Sequence, residues 1–514
     1  MADAPSTIDR LVRSRAARDG PKPMVIDASA RLSYGELDST TRAIAAEFVD
    51  AGVAKGSRVG LIMPNGVRWV QTAIALTRIG AVLVPLSTLL TAGELRDQLR
   101  VASVQFLIGV EEFRGHRYLE HVVDNPDLPA LQRVWNAERL TLGAPRAAAL
   151  RLADAMTRTV TPSDTMVIMF TSGSSGAPKG VIHSHGNALG AVRSGLAARC
   201  IDADTRLYLP MPFFWVGGFG SGVLSALLAG CTLITEEIPS AEATLRLLER
   251  ERVTLFRGWP DQAENLARKS AGVGADLSAL RPGSLDALLP AELRAEPGAR
   301  ARLFGMTEAF GPYCGYPADT DMPESAWGSC GKPFGGMEVR IVDPEDGSPV
   351  PAGTGGMIQI RGPHVMRGMC RRGREELFTP DGFYPTGDLG HLDGDGFLFY
   401  HGRSDDMFKV SGATVYPGEV QRALRSIDGV ENAVVTNVAD DTGDRVGAAV
   451  VCDIATMTPD RLRSAARKLL SAFKVPTLWL LVDSDEGIPR GATGKPDIRR
   501  LRALLREQTQ SRMI

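Results

Sequence analysis

Ten consecutive residues stand out for the chemistry they could support: Thr171-Ser172-Gly173-Ser174-Ser175-Gly176-Ala177-Pro178-Lys179-Gly180. Four hydroxyls and the exposed amides of such a loop can donate to phosphate oxygens, and its lysine supplies positive charge. Its three glycines allow turns closed to other residues. The common nucleotide-binding loop GxxxxGK[ST] needs Ser or Thr directly after the lysine. Gly180 stands there instead, which disfavours the kinase and GTPase classes. An apolar stretch, 167–170, precedes the loop and predicts a strand, and the residues after it read as helix-like.

Three further clusters suit the same kind of ligand. Phe304-Gly305-Met306-Thr307-Glu308 offers an aromatic ring for stacking, a hydroxyl and a carboxylate within five residues. Tyr384-Pro385-Thr386-Gly387-Asp388 sets an acid in a turn, as a ribose diol would require. Pro489-Arg490-Gly491-Ala492-Thr493-Gly494-Lys495 presents a lysine on a glycine-rich loop. Taken singly these are ambiguous, because an Asp after Thr-Gly is often only a turn former. Their joint occurrence in this order is the informative signal. Lysine is scarce here, with nine against 49 arginines, and two of the nine (Lys179 and Lys495) fall in such segments.

The elements that must position these residues alternate along the chain. Apolar β-like runs at 58–63, 81–85, 165–170, 232–235 and 253–256 are interleaved with helix-like stretches such as 67–79. Nearly continuous apolar strands between helices predict βαβ units and sheets covered on both faces. Near residue 402 the character changes. The turn Asp393-Gly394-Asp395-Gly396, a β-like run at 397–400 and the charged Arg403-Ser404-Asp405-Asp406 precede about 110 residues, near the usual size of a separate domain. Its clearest helix begins at Thr458-Pro459, an N-cap followed by proline at the first helical position. Leu462, Ala465, Leu469, Leu470 and Phe473 are expected to share its apolar face.

At 514 residues the chain exceeds one ordinary domain, and 44% hydrophobic with 23% charged residues is a globular composition. The balance of 58 basic and 60 acidic residues gives no global attraction to nucleic acid. The six cysteines form no CxxC pair, which suits a reducing cytoplasm. The first residues do not read as a signal peptide, and no 18-residue apolar run predicts a transmembrane helix.

The ordered set of motifs resembles the adenylate-forming superfamily of acyl-CoA synthetases, peptide-synthetase adenylation domains and luciferases. The residues carrying the likeness are the loop at 171–180, Gly305-Met306-Thr307-Glu308, Thr386-Gly387-Asp388, the run from Gly402 to Gly412 and Gly494-Lys495. The resemblance covers essentially the whole chain. It implies an α/β fold: a large N-terminal domain, 1–404, of layered βα subdomains plus a small β-barrel-like part, and a smaller mobile α+β domain, 405–514, with its hinge at Asp405. It also implies two steps. A carboxylate attacks the α-phosphate of ATP, giving acyl-adenylate and pyrophosphate, and the thiol of CoA then displaces AMP. Since the nucleophile is already an anion, catalysis reduces to positioning and charge stabilisation.

By resemblance, Thr171, Ser172, Gly173, Ser174, Ser175, Gly176 and Lys179 hold the β- and γ-phosphates, and Thr307 touches the α-phosphate. Glu308 would be the Mg²⁺ ligand, Asp388 and Arg403 would bind the ribose, and Phe304 would stack on adenine. Lys495 matches the mobile lysine of adenylation. Lys409 stands where some members use a second lysine for thioester formation, with Ser411-Gly412 lining the pantetheine tunnel. Acyl-pocket positions are Trp215, Gly217, Phe310, Gly311, Tyr313 and Cys314, which suggest a bounded apolar pocket for a medium-chain, aromatic or ring-bearing acid.

The chain departs from the pattern twice. Where relatives carry a Gly-Gly pair, Leu285-Asp286 stands, and the connection onward to Gly305 looks roughly ten residues short. Trp215 replaces a common histidine. Within the superfamily, an amino-acid-activating domain is disfavoured because 209–219 holds no acid to pair an α-ammonium group. Loading of a carrier-protein thiol is the alternative to free CoA, and a catalytically silent nucleotide-binding relative is a third reading.

Overall fold

The computed structural model describes residues 6–510 apart from 121, 124, 140–144, 172–177, 405–407, 411–412, 416, 441–442, 471 and 492–494. Packing divides the chain into two compact units. The first comprises Met1–Val339, Ile360–Tyr384 and Asp395–Leu398; the second comprises Arg340–Gln359, Pro385–Gly394 and Phe399–Ile514.

Two layered sheets dominate the first unit. One runs in the order Leu255–Phe256, Arg206–Tyr208, Thr232–Ile234, Pro23–Ile26 and Arg31–Ser33. Its pairings are parallel except for the last strand. The other has seven described strands: Gly368–Met369, Lys179–Ser184, Thr165–Thr171, Val82–Pro85, Arg58–Ile62, Phe106–Gly109 and Arg133–Asn136. From Thr165–Thr171 onward its strands are parallel, and those at 82–85 and 106–109 are buried along their whole length, as sheets covered on both faces require. The 67–79 helix is realised as Val67–Arg78, with Trp69, Val70, Ala73, Ile74 and Leu76 buried against the sheet core.

The segment after the Ser/Gly/Lys loop corrects the sequence expectation. It is a strand, Lys179–Ser184, antiparallel to Thr165–Thr171, and the helix His185–Ser194 starts only after it. The alternation Lys179, Val181, His183 against Gly180, Ile182, Ser184 is period two, but six residues with a glycine in second place carry too weak a signal to separate strand from helix start. The loop is therefore the connection of a hairpin, bracketed by the pair Thr171 and Lys179.

The strands Gly356–Arg361, Tyr384–Leu392 and Leu398–Arg403, most of whose residues belong to the second unit, lie side by side, with Glu338–Val342 outside the first of them. A second sheet joins Val430–Asp440, Gly443–Cys452 and Leu478–Val482, flanked by helices Pro417–Arg425, Pro459–Leu469 and Ile498–Gln510. The expected cap forms, with the Thr458 hydroxyl accepting from Arg461 N. The apolar face is narrower than expected. Leu462 and Ala466 are buried and Leu470 and Phe473 pack at the margin, but Leu469 is 51% exposed. Leu469 is i+3 from Ala466 and so on the same face by period, but it is the last residue of the helix, and the packing leaves it in water. Among the described residues no helix is long and apolar enough to cross a membrane.

Candidate active site

The first unit carries the residues expected to contact phosphate. Thr171 and Lys179 close the hairpin in register, while Ser172, Gly173, Ser174, Ser175 and Gly176 lie outside the described residues. Phe304–Met306 pairs with Gly311–Gly315, and Thr307–Ala309 forms a 3₁₀ turn between them. The pairing slips between Phe304, opposite Cys314, and Gly305, opposite Pro312, so Tyr313 is the bulged residue. Bulges re-aim side chains beside functional sites. Here the buried Tyr313 ring meets Phe304 edge-on at 5.5 Å. Gly305 is required by closeness: a Cβ there would run into the backbone of Gly311 and Pro312.

Glu308 is buried, and the Tyr384 hydroxyl donates to its Oε1 at 3.4 Å. Met366 N–H donates to the Glu308 carbonyl at 2.7 Å, and Phe310 N–H donates to that of Thr307 at 2.9 Å. Phe310 follows in the left-handed region, φ 53°, an uncommon conformation for an aromatic residue. Its ring is held edge-on by His183 at 4.8 Å and by Phe219 at 6.3 Å. His183 Nε2 lies 2.8 Å from the Thr307 carbonyl oxygen, and its Nδ1 lies 2.7 Å from the Asn187 amide nitrogen. Sequence reasoning missed His183 and Asn187 and gave Tyr384 no role of its own. A lone histidine and an asparagine on a helix have no spacing that marks them.

The acyl-pocket positions gather around a helix with an irregular start. Trp215 precedes Val216–Gly218, which passes into a π-helical turn, Phe219–Leu224, and then Ser225–Ala229. Such turns recur at functional sites. Gly218 packs on the Pro212 carbonyl, and Gly217 faces the Met211 sulfur, 2.7 Å from where a Cβ would sit. A Cβ on Gly220 would lie 3.2 Å from the Phe310 ring, and one on Gly311 would lie 3.5 Å from Val216. Trp215 stands edge-on to Phe214 and to Trp259, at 5.5 and 6.2 Å. The structure thus brings Gly311 and Phe310 against the 215–224 segment. It places Tyr313 beside Phe304 instead, with Cys314 buried on the next strand position. Trp259 is an unforeseen neighbour.

The altered 284–290 stretch runs beside Leu255–Phe256. Ser284 Oγ accepts from Phe256 N–H, and Leu285 N–H donates to the Phe256 carbonyl. Two 3₁₀ turns, Asp286–Leu288 and Ala291–Leu293, then lead through irregular backbone to Phe304. No α-helix or strand lies between Leu285 and Phe304.

The second unit holds the two residues expected to bind the ribose. Asp388 is buried in Tyr384–Leu392 and its N–H donates to Thr386 Oγ1. Arg403 Nη1, on the neighbouring Leu398–Arg403, reaches the Thr386 carbonyl at 2.9 Å and Asp388 Oδ1 at 3.3 Å. Gly387, φ 73°, leaves room for that guanidinium, since a Cβ would approach Arg403 Nη2 to 2.9 Å. Ser404 N–H and hydroxyl both donate to the Gly387 carbonyl. The acid and the arginine are therefore assembled in advance. Lys409 lies on Phe408–Val410 opposite Thr414. Lys495 is exposed, and its carbonyl accepts from Gly491 N–H at 2.8 Å across the loop. Asp405, Ser411 and Gly412 lie outside the described residues.

Residues 12–370 match the model of a single protein family, described as AMP-binding enzyme. The chain belongs to the AMP-binding enzyme family. It is 32% identical to the 3-[(3aS,4S,7aS)-7a-methyl-1,5-dioxo-octahydro-1H-inden-4-yl]propanoyl:CoA ligase of Mycobacterium tuberculosis, over 98% of this chain and 99% of the relative. It is also 32% identical to a feruloyl-CoA synthase of Amycolatopsis sp, over 94% and 96%. Its fold matches the crystal structure of the anthranilate CoA ligase AuaEII in complex with anthranoyl-AMP, with a TM-score of 0.80 at 22% identity over 98% of both chains. As an AMP-binding enzyme, the protein has the mixed α/β, layered-sheet, two-domain architecture of its adenylate-forming neighbours.

Proposed function

We infer that this AMP-binding enzyme is an ATP-dependent acid:CoA ligase, which converts a carboxylic acid to acyl-AMP and pyrophosphate and then passes the acyl group to CoA. The observation that carries the reading is the pairing of a hydroxyl- and lysine-bearing hairpin with a clamped Thr307–Glu308 turn in the same unit. The relatives named CoA ligases along nearly their full length support it. In this reading Thr171, Ser172, Ser174, Ser175 and Lys179 orient the β- and γ-phosphates, and Thr307 meets the α-phosphate. Asp388 accepts from the ribose hydroxyls beside Arg403, and Phe304 stacks on adenine.

Glu308 offers one buried carboxylate, and among the described residues no cluster of three or more His, Cys, Asp or Glu could hold a metal alone. That donor set fits Mg²⁺, which is usually held by one or two carboxylates together with substrate phosphates. When bound there, Mg²⁺ would neutralise charge on the phosphate oxygens. Lys495 bridges the carboxylate and the α-phosphate during adenylation. The 405–514 domain then turns about Asp405 to bring Lys409 and Ser411-Gly412 to the thiol step. The six free cysteines suit a reducing compartment, and we place the enzyme in the cytoplasm.

The acid is proposed to bear a ring. Trp215 stands edge-on to Trp259 and Phe310 packs near Gly220, which supports an aromatic-walled pocket, and the relatives' printed substrates include feruloyl, indoleacetate and 3-hydroxybenzoate. The test is pyrophosphate exchange across a panel of aromatic, alicyclic and straight-chain acids, followed by CoA-thioester detection. Exchange strongest with ring-bearing acids and thioester formed with free CoA are expected. Exchange with no CoA thioester would shift the assignment to carrier-protein loading, and no exchange with any acid would point to a silent nucleotide-binding relative.

A further inference from the structure

We propose that His183 is a positioning residue for adenylation, holding the Thr307–Glu308 turn in register with the phosphate-loop hairpin through a single hydrogen bond to the Thr307 carbonyl. The carbonyl can only accept, so His183 Nε2 carries the proton and donates at 2.8 Å. Nδ1 must then accept, and the Asn187 amide supplies that donor at 2.7 Å. Asn187 is itself fixed. Its Oδ1 accepts from the Ser184 N–H and hydroxyl, its backbone N–H donates to Ser184 Oγ, and its amide also donates to the His364 carbonyl. That reciprocal cap anchors the start of the His185–Ser194 helix. The imidazole is fully buried, and desolvation holds it neutral, pushed down to about 3.

The Thr307 carbonyl thus takes two donors, Phe310 N–H at 2.9 Å and His183 Nε2–H at 2.8 Å. The first closes the turn, and the second ties it to a different strand. Lys179 and His183 lie four residues apart on one strand, so they project from the same face about 13 Å apart. One strand therefore carries the phosphate-loop lysine at one end and the tether of the Thr307–Glu308 turn at the other. The Phe310 ring packs on the edge of His183 and completes the coupling. Nothing in the imidazole's surroundings calls for proton transfer; its use is geometric.

The proposal rests on the adenylation reading above, and a two-variant comparison separates the two. Glutamine can present an amide N–H near the position of Nε2, whereas asparagine is too short to reach the Thr307 carbonyl. For His183→Asn, pyrophosphate exchange should fall roughly 10–100-fold, as expected when a reacting group is displaced by about 1 Å. The Mg²⁺ concentration for half-maximal rate should rise, and the amides of 307–310 should exchange hydrogen about tenfold faster in the ligand-free protein. His183→Gln should recover most of the lost rate and the protection together. Equal rates for the two folded variants overturn the proposal, as does unchanged protection of 307–310 in His183→Asn. If His183→Asn does not fold, His183→Gln decides alone: recovery supports the tether, and a folded protein more than tenfold slow overturns it. A wild-type protein without exchange for any acid would instead defeat the adenylation reading, and the hydrogen-exchange comparison would still report on the tether.

Discussion

Replacing Gly305 by alanine probes how tightly backbone packing fixes the turn bearing Thr307 and Glu308. A Cβ at 305 falls inside 3.0 Å of three backbone atoms, the oxygen and carbon of Gly311 and Cα of Pro312. None is the end of a flexible side chain, so relief requires Phe304–Met306 and Gly311–Gly315 to part. Overpacking of this kind costs about 1–3 kcal/mol, and a shift on the order of 1 Å at a reacting group lowers rates about 10²-fold. The expected result is pyrophosphate exchange about 100-fold slower, with a thermal midpoint lowered by a few degrees. Gly217→Ala is the internal control. There the nearest obstacle is the Met211 sulfur at 2.7 Å, a side-chain end that can swing away, so stability should hold while acid preference narrows. A Gly305→Ala enzyme with exchange within threefold of wild type and an unchanged midpoint would refute the claim that these strands are in backbone contact.

Lys495→Ala should slow adenylation by about 10²–10³-fold, the usual effect of removing one preorganised donor, while thioester formation from supplied acyl-adenylate persists; an unchanged single-turnover pyrophosphate release would reject the role. Asp405→Pro should keep pyrophosphate release and lose most CoA thioester, because proline fixes φ near −65° where a hinge must rotate; equal losses in both steps would remove the hinge. Stability should fall on acidification. Burial pushes His183 down to about 3 and His185 to about 4, from 6.5 in the unfolded chain. Between those values the unfolded state binds protons that the folded state refuses, so stability fully present above pH 6.5 is lost below it. From pH 7 to pH 5 the loss is about 2 kcal/mol per histidine, and a flat denaturant-midpoint profile over that range would contradict neutral burial of both.

Strands with continuous apolar runs were legible from sequence because burial on both faces leaves nothing polar to confuse the pattern. The strands at 58–62, 82–85, 165–171 and 232–234 fall where those runs predict. The hairpin strand Lys179–Ser184 was not, since it carries Lys, His and Ser among three apolar or small residues and lies second from the sheet edge. Motif residues were legible by order and spacing, and Asp388 with Arg403 illustrates the gain from structure: fifteen positions apart in the chain, they meet at 3.3 Å on neighbouring strands. The residues that support the motifs were invisible. His183, held by Asn187, and the Met366 amide act on Thr307 and Glu308 across long sequence separations, and hydrogen bonding to a backbone carbonyl leaves no compositional trace. Leu469 shows the opposite error, where a helical period alone admitted a leucine that the packing leaves in water.

The strand at Gly368–Met369 has a consequence for synthesis. It pairs with Val181 and Ile182, about 190 residues earlier in the chain. At roughly 5–20 residues per second, the hairpin leaves the ribosome about 10–40 s before its outer neighbour exists. Through that interval Gly180 and Ile182 lack the Cys370 and Arg367 amides that their carbonyls accept from in the finished protein. An uncovered strand edge recruits other chains. The nascent polypeptide thus passes through a window in which the outer edge of this hairpin is open to misassociation. Truncations ending before residue 360 should accumulate as aggregates that chaperone co-expression relieves, and extension past 398, which completes the first unit, should lower that aggregation.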